Sequence, residues 1–96
     1  MKLFRNNIAA FDTPTLTNAT ASSLDVTGKI SWYKDGEFGI AYKKSSATTW
    51  TYVPKTDTNI VGVTLGSLEA STQYDVCLYV KFDNVYQRGA KTQATT

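Results

Sequence analysis

Two runs of alternating apolar and polar residues dominate the chain. From Tyr74 to Phe82, the residues Tyr74, Val76, Leu78, Val80 and Phe82 share one phase, and Asp75, Cys77, Tyr79 and Lys81 share the other. From Ser23 to Trp32, Leu24, Val26, Gly28, Ile30 and Trp32 alternate with Ser23, Asp25, Thr27, Lys29 and Ser31. Side chains of a strand point alternately to opposite faces, so this period of two predicts strands with one buried face. Gly28, inside a buried phase, marks a close backbone approach or a bulge. A third run follows a Lys34-Asp35-Gly36 turn in which Gly36 supplies the positive φ. It places Phe38, Ile40 and Tyr42 against Glu37, Gly39, Ala41 and Lys43.

The remaining segments are weaker. Pro14 opens a strand through Thr20, a position that tolerates a missing N–H. Trp50 to Val53 reads as a short strand stopped by Pro54, and Asn59 to Leu65 as one with Val61, Val63 and Leu65 on a single face. Asp83-Asn84 begins a connection through Val85, Tyr86, Gln87, Arg88 and Gly89 to a last strand over Ala90 to Thr96. No segment has helical periodicity. About seven strands at roughly 8–12-residue spacing predict an all-β sandwich of antiparallel strands. Residues 1–13 fall outside this pattern. Leu3, Phe4, Ile8 and Phe11 are apolar without a clean period, so the segment reads as an N-terminal arm ahead of a domain over residues 14–96. Such an arm is either a loose leader or a segment held by a partner.

Composition narrows the class. With 96 residues, 42% of them hydrophobic and 19% charged, the chain suits one folded domain. Six Tyr, four Phe and two Trp favour pleated, half-buried surfaces over helices. A net charge of +2 with scattered cations argues against a nucleic-acid partner. No apolar run approaches the ~20 residues of a membrane helix, so no membrane is expected. The lone Cys77 cannot form an internal disulfide. Arg5, Asn6 and Asn7 interrupt the apolar start, which is therefore not a secretion signal, and the chain is expected in the cytoplasm or exported by another route.

Catalytic chemistry finds little support. The absence of His removes the commonest general base and metal ligand, and with them Ser–His and Cys–His nucleophiles. One Cys without His cannot build a structural zinc site. Cys77 sits in the outward phase and reads as an inert, half-covered thiol. Asp25, Asp35, Glu37, Asp57, Glu69, Asp75 and Asp83 are dispersed over turns and outer faces. They form neither a calcium loop nor a glycosidase pair and read as solvated surface charge. Asn18-Ala19-Thr20 matches a glycosylation acceptor, a chance match in a chain without a secretion signal. No enzyme, cofactor or metal is expected.

The stretch before the Tyr74 strand is more specific. Leu68, Thr72, Tyr74 and Val76 occupy the Leu, Thr, Tyr and hydrophobic positions of a Leu-x-Pro-x-Thr-x-Tyr-x-hydrophobic motif, with Ala70 in place of Pro. In this the chain resembles a fibronectin type III domain. The resemblance implies a tyrosine corner, in which the Tyr74 hydroxyl ties the preceding loop to the strand. Glu37 to Tyr42 looks like the third strand of bacterial and phage variants of the family. Arg88-Gly89 lies where animal members carry Arg-Gly-Asp, but Ala90 replaces the acid, so integrin binding is not implied. The resemblance implies a non-catalytic spacer, adhesion or interaction module.

Two surfaces are candidates for a protein partner. On the outer sheet face, Gly39 and Ala41 are expected beside Cys77 and Tyr79 as a weakly polar patch rimmed by Glu37, Lys43, Asp75 and Lys81. At one end of the sandwich, the connections holding Tyr33, and Tyr86 with Arg88, are expected side by side, and these residue types dominate binding energies. The functional expectation is a virion-associated phage protein, of a capsid, decoration or tail. It would contact neighbouring subunits through Leu3, Phe4, Arg5 and Ile8 of the arm and through Tyr33, Tyr79, Tyr86 and Arg88. The alternative is an accessory spacer, adhesion or carbohydrate-binding module of a secreted bacterial protein, with Trp50 and Tyr52 as the sugar platform.

Overall fold

The computed structural model describes residues 9–31, 33 and 36–96. Nine strands lie among them: β1 (Ala10–Phe11), β2 (Thr15–Thr17), β3 (Leu24–Ser31), β4 (Glu37–Lys44), β5 (Thr51–Lys55), β6 (Asn59–Leu65), β7 (Gln73–Phe82), β8 (Val85–Arg88) and β9 (Thr92–Thr95). All pairings are antiparallel. β1 and β2 both flank one side of β3, with β6 on its other side; β4 pairs β5 and β7, and β8 and β9 both flank β7. Counting each flanking pair as one interrupted strand gives the seven lanes expected of the sandwich.

The core between the sheets follows the alternation. Leu24, Val26 and Ile30 of β3 meet Ile40 of β4 and Val76, Leu78 and Val80 of β7. Gly28 marks a close approach: a Cβ there would lie 2.8 Å from a Leu78 methyl. The bulge is elsewhere. Val26 pairs with Val63 but Gly28 pairs with Ile60, so β6 inserts one extra residue opposite Thr27. Gly62 adopts φ 60° there, and its amide donates to the Thr27 hydroxyl at 3.0 Å. The insertion reverses the phase of β6. Ile60 is buried, and Val61, expected inside, is 67% exposed.

The tyrosine corner forms as expected. The Glu69 amide donates to the Tyr74 hydroxyl at 2.8 Å, and Thr72 donates its hydroxyl to the Ala70 carbonyl. Gly36 takes φ 84°.

Beyond shifts of one or two residues at strand ends, such as a last strand over Thr92–Thr95, four features differ from the pattern reading. Ala9 is buried in the core and β1 pairs with Ser31 and Ile30, so the sheet begins before the boundary drawn at Pro14. Two residues carry no periodicity, which hid this strand. The next strand is also shorter than its reading, ending at Thr17. Pro54 does not stop β5 but lies inside it, tolerated because β5 is a sheet edge with no outer neighbour among the described residues needing that N–H. Val85 to Arg88 is not a loop. Asp83 and Asn84 adopt φ 53° and 63°, the left-handed pair of a two-residue hairpin turn, and β8 folds straight back onto β7.

Candidate functional site

The expected neighbours on the outer face of the five-stranded sheet do meet: Gly39 pairs with Tyr79, and Ala41 with Cys77. They do not form an open patch. Ala41, Cys77 and Tyr79 are all buried in a second cluster, roofed by the half-buried Trp50 and Tyr52. The small residues leave room that the chain's own aromatic rings fill from both sides. Tyr52, from β5, packs edge-on to Tyr79 with ring centroids 4.7 Å apart and stacks on Tyr86, from β8, at 4.0 Å and 18°. Cations complete the layer. Lys43 and Arg88 each sit 5.2 Å from a Trp50 ring centroid, and Lys81 sits 5.2 Å from that of Tyr86. Arg88 also donates to the Tyr52 hydroxyl at 2.8 Å.

This layer corrects three expectations. Tyr79 has no exposed surface; its hydroxyl donates to Glu37 at 2.6 Å, and burial followed by that carboxylate pushes its pKa far up. It is scaffold, not a contact residue. Cys77 is fully rather than half covered, and burial pushes its thiol up to about 11, with the Arg88 charge opposing. Thiolate chemistry has no support there. Asp75 is buried rather than solvated. It accepts from Ser45 at 2.6 Å, Gln93 at 2.9 Å, and Lys43 and Lys91 at 3.1 Å each. Desolvation raises its pKa, but the four donors together outweigh that and hold it well below the usual carboxylate range.

The loop-end residues divide. Tyr33 is buried, edge-on to Phe38 at 5.9 Å, and donates its hydroxyl to the Lys81 carbonyl at 2.7 Å. It does adjoin the β7–β8 hairpin, but as a support beneath it, because its ring fills the end of the core. Tyr86 is 39% exposed and Arg88 is exposed, as a contact surface requires. Leu3, Phe4, Arg5 and Ile8 lie outside the described residues, as does Trp32.

Pattern reading places Phe82 in the buried phase and Val85 in a connection, but the structure exposes both. They flank the hairpin turn as a pair, 53% and 65% exposed, because the hairpin overhangs the end of the core. Three of the four large hydrophobic residues exposed among the described residues, Phe82, Val85 and Tyr86, thus fall within one hairpin. The available signal was the Asp-Asn pair between apolar residues.

The aromatic roof yields a prediction. Native Cys77 should react with a bulky thiol reagent only through opening of the fold, and Tyr52→Ala should raise that rate by about tenfold or more as the cover is lost. Equal rates in the two proteins, both folded by circular dichroism, would mean the roof does not shield the sheet.

Over its whole length the chain is similar to the crystal structure of an FN3 domain of human collagen XX. The TM-score is 0.70 at 17% identity, covering 100% of this chain and 99% of that one. The fold is that of a fibronectin type III domain. No protein-family model matches the sequence, and no curated protein matches it. In this fibronectin type III fold, Tyr74 is the corner tyrosine, and the hairpin carrying Phe82, Val85, Tyr86 and Arg88 joins its last two lanes.

Proposed function

We propose that the chain is a non-enzymatic protein-interaction module whose contact surface is the β7–β8 hairpin and the aromatic, basic strip beside it. One observation carries the reading: Phe82, Val85 and Tyr86 are exposed together on a hairpin held by regular pairing and by the Tyr33 hydroxyl beneath. Large apolar side chains clustered on a rigid element are what a partner can bury with little ordering cost. The finer reading is a phage virion protein, assembled in the host cytoplasm, that meets neighbouring subunits through this hairpin and through Leu3, Phe4, Arg5 and Ile8. Its support is the likeness of Glu37 to Tyr42 to the third strand of bacterial and phage variants of the family.

The carbohydrate alternative draws less support. A sugar platform needs open ring faces, whereas Tyr52 is stacked on Tyr86, and Lys43 and Arg88 lie against Trp50.

Purified from its native source, the chain should carry a stoichiometric protein partner. Phe82→Ser with Val85→Ser should lose that partner, while Val61→Ser, an equally exposed site on the other sheet, should keep it. Retention by both variants overturns the hairpin reading. Co-sedimentation with purified phage particles tests the finer reading, and a chain absent from every particle preparation defeats it.

A further inference from the structure

The outer face of the five-stranded sheet carries a charge imbalance that its own contacts do not cancel. Lys43, Lys81, Arg88 and Lys91 lie on or beside it, four of the chain's ten cations, against Glu37 and Asp75, two of its eight anions. Both anions are engaged within the domain: Asp75 under its four donors, and Glu37 by the Tyr79 hydroxyl. Lys43 and Lys91 are paired with Asp75. Lys81 and Arg88 have no carboxylate partner among the described residues. Each rests against an aromatic ring, which orients the cation without neutralising it. Arg88 uses one donor on Tyr52, leaving most of its guanidinium fork for a bidentate carboxylate.

We propose that this face docks an extended acidic polypeptide segment, with carboxylates two residues apart engaging Lys81 and Arg88. The spacing supports that occupant. Lys81 pairs with Tyr86, so Arg88 is its diagonal neighbour across the β7–β8 ladder, about 7–8 Å away. Residues two apart in an extended segment project to the same side about 6.6 Å apart, a close match. The composition of the surface argues for polypeptide over other polyanions. Nucleic acids and sulfated glycans are held by runs of many cations. Here two unpaired cations share their face with the partly exposed ring of Tyr86, a mixture suited to a segment with both acidic and apolar side chains.

The inference rests on the hairpin reading and names the chemistry of its partner. The probe is a synthetic peptide of alternating Glu with Val and Ser, titrated into the isotope-labelled chain at low salt and followed by amide chemical shifts. Shifts should cluster at residues 79–88 of the chain. Lys81→Gln and Arg88→Gln should each weaken binding about fivefold while leaving the melting temperature nearly unchanged. A peptide with Gln for Glu should not bind, and added salt should release the acidic one. Shifts centred on Lys29, Lys44 or Lys55, or affinities unchanged in both variants, overturn the proposal. So does tighter binding of a heparin-derived oligosaccharide or an oligothymidylate to the same residues. If the peptide fails while the Phe82→Ser, Val85→Ser protein still loses its native partner, the acidic assignment falls and the hairpin reading stands.

Discussion

Replacing Asp75 with alanine should destabilise the domain by about 3–5 kcal/mol, a large share of the ~5–15 kcal/mol available to a domain. The carboxylate is 1% exposed and joins β4, β7 and β9 through Lys43, Gln93 and Lys91, with Ser45 adding the loop after β4. Its removal leaves the Lys43 ammonium, on a side chain only 13% exposed, without its anion. The same site sets an acid limit. The folded pKa of Asp75 lies below the ordinary aspartate value of 3.8, so its ionised form stabilises the fold fully above that value. The contribution is lost progressively as the pH falls through 3.8 toward the lower folded value. Melting temperature should therefore hold from neutrality to about pH 5 and then fall. In Asp75→Asn the overall stability should be lower and the acid limb shallower. Asp25 is shifted the same way by Thr64 and Asn18, but it is common to both proteins, so their difference isolates Asp75. Parallel acid limbs in wild type and Asp75→Asn would contradict the assignment.

Tyr79→Ala should be comparably severe, about 3–5 kcal/mol, because a fully buried ring is removed from the centre of the outer layer. Tyr52 would lose its edge-on partner and Glu37 the hydroxyl it accepts from. Tyr79→Phe separates the two contributions: it keeps the packing and loses the hydrogen bond, for about 1.5–3 kcal/mol. Urea titration measures both. A Tyr79→Ala protein of wild-type stability that fails to bind a partner would return Tyr79 to the contact surface and remove it from the scaffold.

These two residues also show what the sequence does and does not reveal. Alternation in β3, β4 and β7 locates the core lanes, the family resemblance carried by Leu68, Thr72 and Tyr74 implies the corner, and Gly28 marks a close approach, which is with Leu78. All of that information is local. The second layer is not, since it depends on which strands flank β4 and β7 and on what those strands carry. An outward phase looks solvated in sequence, yet Cys77 and Tyr79 are covered by side chains arriving from β5 and β8. Asp75 likewise gathers Ser45, Lys91 and Gln93 from segments 30, 16 and 18 residues away. Val61 lies outside because one inserted residue at Gly62 puts Ile60 and Val61 out of phase with Val63 and Leu65, and a period-two count carries no mark of it. The hairpin differs for the opposite reason: its signal is present in Asp83-Asn84, which forms a complete two-residue turn and not the start of a loop.

The sheet edges sharpen the functional reading. β5 carries Pro54 at one edge and β6 a bulge at another, both features that discourage strand addition. Strand addition is therefore not expected at β5 or β6, and a partner is expected to meet the side chains of the hairpin. Site-specific photo-cross-linking tests this most directly, with benzoylphenylalanine placed in turn at Val85, Tyr86, Val61 and Leu16 in the native source. Cross-links to one protein from Val85 and Tyr86, with none from Val61 or Leu16, are the predicted result. Cross-links from Val61 or Leu16 with a silent hairpin would contradict it.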